Sequence, residues 1–241
     1  MQPSGGGVWR LRIPAGGRES YRLAQLDDYS SKPRKRFPWS PPVTLALDAR
    51  VSDAAIPGTW GFGWWNDPFA LSFGFGGGER RFPSLPETAW FFFASPPNYL
   101  SFRNDLPAQG FLSAVMRPAF SLSLINVFAG AFLPLAAWQL SAPLARRLAR
   151  RFLHEDSGRV KTDVTRWHHY EICWEMEQVQ FSLDERQVFT TKCVPRAPLG
   201  LVIWIDNQFA GFPPDGKLTY GLLPNAKAAW LDIRDVRLMA V

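Results

Sequence analysis

Period-two alternation of apolar and polar residues dominates this chain. In WHHYEICW (residues 167–174), His168, Tyr170, Ile172 and Trp174 share one parity, and in VQFSL (179–183) Val179, Phe181 and Leu183 do the same. The polar residues 175–178 between them predict a β-hairpin. Asp184-Glu185 then turns the chain into a further strand at 187–191. The same pattern predicts strands at 43–51 (VTLALDARV) and, after the Pro57-Gly58 turn, at 59–65 (TWGFGWW). Apolar runs at 69–75, 88–94 and 199–205 read as buried strands, 228–239 as a last alternating strand, and 21–26 and 99–102 as short ones. Residues 30–42, 76–87 and 207–225 are rich in Gly, Pro or both and read as loops, and the Gly/Ser-rich residues 1–17 as a flexible N-terminal arm. Many short strands with Gly/Pro turns predict an all-β jelly-roll sandwich, one domain over 18–241.

One region breaks the pattern and predicts a mostly helical apolar insertion at about 105–160. Residues 118–145 contain no charged side chain. That length is enough to cross a bilayer, but one crossing would put strands of a single sandwich on opposite sides of the membrane. A lid, or a segment dipping into one leaflet, fits instead. Next, Ser141 offers a cap, Pro143 sits in a first turn, and Leu144, Leu148 and Phe152 recur every four residues, with Arg146, Arg147, Arg150 and Arg151 on the remaining surface. This predicts a short cationic amphipathic helix that either packs on the sandwich or meets an anionic membrane surface.

Composition sharpens the picture. Hydrophobic residues make up 46% and charged residues 20%, which excludes a disordered chain. With 11 Trp and 19 Phe, either the core is broad or an aromatic-lined cavity or contact face exists. The net charge is +6, with basic clusters at Lys32, Arg34, Lys35, Arg36 and at the four arginines of the helix. No nucleic-acid motif accompanies them, so nucleic acid is not an expected partner. Cys173 and Cys193 are the only cysteines, and their spacing does not show whether they bridge. No metal-ligand cluster occurs, and neither metal nor cofactor is expected. The first residues lack the apolar core of a signal peptide, so the expected location is cytoplasmic, with membrane association through the insertion.

A resemblance to family-16 glycoside hydrolases, the laminarinase-like enzymes, is carried by Asp163-Val-Thr165-Arg-Trp167-His168-His-Tyr170-Glu-Ile172-Cys-Trp174 and the following Val179 to Asp184. Upstream, Leu47 to Val51 and Pro57 to Trp65 resemble the strand pair that precedes the family's catalytic strand. Downstream, residues 198–207 and 229–238 resemble its late concave strand and last strand. The resemblance implies the concanavalin A-like lectin/glucanase fold. It also implies a Glu-x-Asp-x-Glu or Glu-x-Asp-x-x-Glu motif after the tryptophan-rich pair, because retaining hydrolysis needs two carboxylates about 5 to 5.5 Å apart. The matching stretch here is Glu87-Thr-Ala-Trp90-Phe91-Phe92-Phe93-Ala94. Glu87 alone cannot fill both roles, and glycosidase activity by the family's mechanism is not expected.

With rings in place of acids, the concave face is expected to be an aromatic groove lined by Trp60, Phe62, Trp64, Trp90, Phe92 and Trp204. Asp206 and Asn207 would supply polar contacts, alongside Asn66 and Asp67. Four readings stand. The first is a non-hydrolytic protein binding a hydrophobic small molecule or lipid under the insertion. The second is a divergent enzyme on an apolar substrate, with His169, Glu171, Asp206 and Tyr99 as candidate catalytic residues and His168 and Asn207 behind them. The third is a peripheral membrane or structural subunit docking through the insertion. The fourth is a glycan-binding module.

Overall fold

The computed structural model describes residues 3–4, 7–68, 84–119, 146–147, 150–196, 198–215 and 219–240. Its strands in chain order are β1 (Pro3–Ser4), β2 (Val8–Ile13), β3 (Leu23–Asp27), β4 (Val43–Val51), β5 (Thr59–Trp65), β6 (Thr88–Ala94), β7 (Gly110–Pro118), β8 (Leu153–Arg159), β9 (His168–Trp174), β10 (Val179–Leu183), β11 (Arg186–Thr191), β12 (Gly200–Asp206), β13 (Gln208–Gly211), β14 (Thr219–Leu222) and β15 (Ala229–Ala240). A seven-stranded sheet runs β1-β2-β15-β4-β9-β10-β11, and a six-stranded sheet runs β3-β12-β5-β6-β7-β8. All pairings within them are antiparallel. The architecture is all-β, two antiparallel sheets packed face to face, in keeping with the expected jelly-roll sandwich.

The alternation places one parity of every central strand between the sheets. Leu45, Leu47, Tyr170, Ile172, Trp174, Phe181, Leu231 and Ile233 come from the seven-stranded sheet. Trp60, Phe62, Trp64, Phe91, Phe93, Val115, Ile203 and Ile205 come from the other. The layers meet through rings: Phe62 against Tyr170 at 5.1 Å between centroids, Trp64 against Trp174 at 5.5 Å, and Phe91 edge-on to Phe181 at 5.2 Å. Edge-on and tilted contacts of this kind add to the burial of apolar area that drives the two layers together. The β10–β11 connection is the two residues Asp184 and Glu185, both at positive φ, which is the backbone twist a two-residue hairpin requires.

The surplus of Trp and Arg is used on the outer face of the seven-stranded sheet. Arg10 lies over the Trp230 ring at 4.2 Å and Arg50 over the same ring at 5.3 Å. Arg50 also lies over Trp167 at 4.9 Å, and Arg234 over Trp167 at 4.4 Å. The guanidiniums are held in this stack by two carboxylates. Asp232, whose side chain is 1% exposed, accepts from both Arg10 (2.7 Å) and Arg50 (3.1 Å). Asp48 accepts from Arg234 (3.0 Å) and His169 (2.8 Å). Stacking plus bidentate pairing is a task for guanidinium and not for ammonium.

Several expectations are corrected. Residues 8–13 are not part of a loose arm: VWRLRI alternates, buries Leu11 and Ile13, and pairs β2 with β15. The insertion does not span 105–160, because residues 110–118 and 153–159 form β7 and β8, paired with each other and continuing the six-stranded sheet beyond β6. A mostly helical insertion is not what the described residues show. Their helical residues in this region are 146–147 and 150–152. The uncharged run beyond residue 119, with Leu144 and Leu148, lies outside the described residues, as does the strand expected at 69–75. No described helix is long and apolar enough to cross a membrane. Tyr99 makes only an isolated bridge to Gly211, and residues 207–225 contain the β13–β14 hairpin. Both cysteines are free.

Asp232→Asn keeps the shape of the clamp but removes the charge that Arg10 and Arg50 share. It is expected to lower the unfolding free energy by about 2 kcal/mol in urea denaturation. An unchanged midpoint would show the clamp to be structurally idle.

Candidate functional site

The face of the six-stranded sheet that points away from the core is built in rows by its register. One row reads Gln25, Trp204, Gly61, Phe92, Leu112, Arg159. The next reads Asp27, Val202, Gly63, Trp90, Ala114, Ser157, and the third Gly200, Trp65, Thr88, Met116, Glu155. The centre is therefore aromatic and apolar. Its margins on β3 and β8 are polar.

The rings lie over one another. Trp65 and Trp204 are nearly parallel (6.5 Å, 6°), Trp90 and Phe92 are stacked (5.4 Å, 18°), and Trp90 meets Trp204 at 5.3 Å. The glycines of β5 make this possible. A Cβ on Gly61 would stand 2.7 Å from the Trp204 ring, and one on Gly63 would stand 2.6 Å from the Trp90 backbone. Gly63 also adopts φ +149, where a side chain is strained. Phe92 and Trp204 are buried. Trp65 and Trp90 are half-buried.

This arrangement corrects the expected groove lining. Trp60, Phe62 and Trp64 are at most 1% exposed and belong to the core between the sheets, so they cannot meet a ligand. Sequence parity showed that they share a face. It did not show which face, because the opposite one is also lined by bulky neighbours reaching over the glycines. Trp90, Phe92 and Trp204 do come together on the outer face, joined by Trp65, which the sequence reading missed. Its signal was there: Trp65 shares parity with Gly61 and Gly63.

On β6 the alternate positions of this face are Thr88, Trp90, Phe92 and Ala94. These are the positions where alternate spacing along a strand would bring two carboxylates together, and none is acidic. Glu87 is 2% exposed and accepts the backbone N–H of Arg196. Asn66 donates to Ser84 and Leu85 and accepts from Glu87 N, and the Asp67 carbonyl accepts from Arg34. These groups hold the chain after β5.

One acid does sit at the end of the ring face. Asp206, 7% exposed, accepts from Thr59 Oγ1 (2.8 Å), from Thr59 N (3.3 Å) and from the Tyr21 hydroxyl (3.3 Å). Thr59 Oγ1 in turn accepts from the indole N–H of Trp204 at 2.9 Å. A hydrogen-bonded chain thus runs from a ring of the site to a buried carboxyl. Burial pushes the Asp206 pKa up to about 6, against the hydrogen bonds that favour its charged form. Burial and the neighbouring carboxylate push the Tyr21 phenol up as well. Asn207 is a different case. It is fully buried, accepts from Arg22 N, and donates to Ser20 and Leu223 carbonyls, which makes it a structural pin.

The other expected site residues are dispersed. His169 is bound to Asp48 on the outer face of the seven-stranded sheet, and Glu171 shares that face. Both are therefore on the side of the molecule opposite the rings. His168 is held by Asp184 (2.6 Å) and Thr162 (3.0 Å). The Tyr99 hydroxyl donates to the Arg103 carbonyl. Of the helix arginines, Arg147, Arg150 and Arg151 are exposed, but Arg146 is 3% exposed and not available to a membrane. Its guanidinium lies over Tyr99 (5.2 Å), Phe212 (5.6 Å) and Phe102 (5.8 Å) and donates to the carbonyls of Ser101, Phe212 and Arg103. It fastens its segment to the loop after β6. Phe152 is half-buried. Two open depressions, of about 410 and 510 Å³, lie beside Pro57 and Ala94 and beside Cys173 and Met176. Neither is the closed apolar cavity expected beneath the insertion.

No family model matches the chain, and no curated protein does. Similar solved structures exist. A glycoside hydrolase family 16 endo-glucanase from Bacteroides ovatus is 10% identical, covering 99% of this chain and 84% of its own, with a TM-score of 0.49. A family-16 protein of the same organism's mixed-linkage glucan locus, in complex with an oligosaccharide product, is 9% identical over 99% and 84%, with a TM-score of 0.47. A pseudo-β-1,3-glucanase of Mycobacterium tuberculosis is 12% identical over 98% and 76%, with a TM-score of 0.43. Likeness at this level says nothing of activity.

The raised pKa of Asp206 makes a signed prediction. Its folded value lies above its unfolded one, so the folded state holds the extra proton and stability falls as pH rises from about 4 to about 6. The contribution is on the order of 2–3 kcal/mol. Asp206→Asn is expected to remove that slope in paired denaturation curves. Parallel pH profiles for the two proteins would contradict the assignment.

Proposed function

We propose that this protein is a non-hydrolytic saccharide-binding protein that holds its ligand on the outer face of the six-stranded sheet. The observation that carries the reading is the placement of the half-buried Trp65 and Trp90 rings between polar margins on β3 and β8, beside a strand β6 whose outward positions hold no acid. A sugar ring presents an apolar face to an indole and hydroxyls at its edge. An apolar centre with a few convergent polar groups suits both. Gln25 and Ser157 are the uncharged margin groups that would meet hydroxyls. Trp204, tied through Thr59 to Asp206, fixes the orientation of the ring cluster and acts as a positioning residue.

The second reading is a hydrophobic ligand on the same face. It is favoured by the apolar run Val202, Trp90, Phe92, Leu112 and Met116 along the sheet centre. It has against it that Phe92, Leu112 and Val202 are already buried by the protein itself.

The two readings separate by experiment. Retention in polysaccharide-containing native gels is expected for the wild type and is expected to weaken about tenfold or more in Trp90→Ala, whose removal forfeits a stacking face. No new reducing ends should appear on long incubation. A protein retained by no polysaccharide, whose organic extract contains a stoichiometric apolar molecule, would favour the second reading. Steady release of reducing ends would end the non-hydrolytic one.

A further inference from the structure

The charge around the ring face is unevenly spent. Three cations beside it are exposed, and their side chains make no hydrogen bond or ion pair among the described residues: Lys35, Arg36 and Arg159. Arg159 ends the row that contains Trp204 and Phe92. It is the cross-strand partner of Leu112, which pairs with Phe92, so its Cα stands about 10 Å from that of Phe92 across two strand spacings. Lys35 and Arg36 lie on the 3-10 turn Arg34–Arg36 at the other side of the face. That turn is fixed against the end of β5, because Arg34 donates to the carbonyls of Asn66 (2.7 Å) and Asp67 (2.5 Å). The residue after the turn, Phe37, packs on Tyr29 at 5.0 Å, and Tyr29 stands edge-on to Trp65 at 6.0 Å.

The acids near this face are, by contrast, consumed. Asp27 accepts from Gln25 and from the backbone N–H groups of Tyr29 and Ser30. Asp28 accepts from Leu201 N and the Trp39 indole. Glu155 accepts from Ser101 Oγ and Phe102 N, and its burial raises its pKa and favours the neutral form. On β6, where acids would have repelled an anion, there are rings. What remains facing outward is an indole surface bracketed by cations whose side chains have no partner among the described residues, in a chain of net charge +6.

Resting on the saccharide reading above, we infer that the ligand is an anionic polysaccharide, carrying carboxylate or sulfate groups. Its sugar rings lie on Trp65 and Trp90, and its acid groups reach Arg159 on one margin and Lys35 and Arg36 on the other. A neutral glycan could accept hydrogen bonds from these cations but would gain no charge attraction. A guanidinium offers a planar fork that matches carboxylate and sulfate oxygens, and the positive margins raise the rate at which an acidic chain finds the face.

The test is a titration of the wild type, Trp90→Ala, Arg159→Ala and a Lys35→Ala/Arg36→Ala double variant with four polymers: polygalacturonate, dextran sulfate, a neutral mixed-linkage β-glucan and polyglutamate. All substituted side chains but Trp90 are exposed, and thermal unfolding confirms that each variant folds. The expected result is binding of polygalacturonate or dextran sulfate that weakens about tenfold in Trp90→Ala and about two- to fivefold in each cation variant. Its salt dependence is shallower in the cation variants, and binding of the neutral glucan and of polyglutamate is much weaker. Neutral glucan bound as tightly as the acidic chains, and unaffected by the cation variants, would overturn this inference while leaving the saccharide reading intact. Polyglutamate bound as well as polygalacturonate, or acidic chains bound equally by Trp90→Ala, would mean that charge alone acts and would overturn both. Failure to bind either acidic polysaccharide also overturns the inference.

Discussion

Along Thr59–Trp65 each side chain that points between the sheets after Thr59 is a ring, and the two positions between those rings on the opposite side are glycines. Trp60, Phe62 and Trp64 fill the space against Tyr170 and Trp174, and Gly61 and Gly63 leave room for Trp204 and Trp90 to lie close over the β5 backbone. The rest of the molecule depends on this one strand. Its register with β12 and β6 brings three indoles and a phenyl ring together on one outer face. A slip of one residue would exchange the packed core for the ring face and destroy both, which is why such a register is strongly specified.

From that constraint the site follows with little freedom. Rings that reach over a glycine strand are held by neighbours on three sides. Trp204 is further held by its hydrogen bond to Thr59, itself bonded to Asp206. Rings held in this way would remove part of the entropic cost of the proposed binding. The same aromatic wealth is used differently on the opposite face of the molecule. There, Trp167 and Trp230 are already covered by guanidiniums clamped to Asp232 and Asp48. Those indoles carry cations, whereas Trp65 and Trp90 have only other rings as neighbours in the cluster.

Much of this was legible in the residues. The strands at 43–51, 59–65 and 88–94 follow the sequence pattern end to end, because apolar parity and turn residues agree there. β2 was hidden because VWRLRI carries two arginines on its polar parity and follows a glycine run. β8 was hidden because LHEDSGR sits at the sheet edge, where few of its side chains need be apolar. The groove itself was half legible. The tryptophans were plain, but parity alone does not say which side is the core when one side holds rings and the other glycine. Arg146 shows the same limit: helical spacing placed it with its neighbours on a solvent face, while three aromatic rings from distant loops draw it inward.

The most direct measurement of the central claim is an indole N–H NMR titration with an oligosaccharide of the bound class, each signal assigned by Trp→Phe substitution. The account predicts shifts confined to Trp65, Trp90 and Trp204, with Trp60, Trp64 and Trp174 silent. Shifts at Trp167 and Trp230 without those three would place the binding face on the other sheet and contradict it.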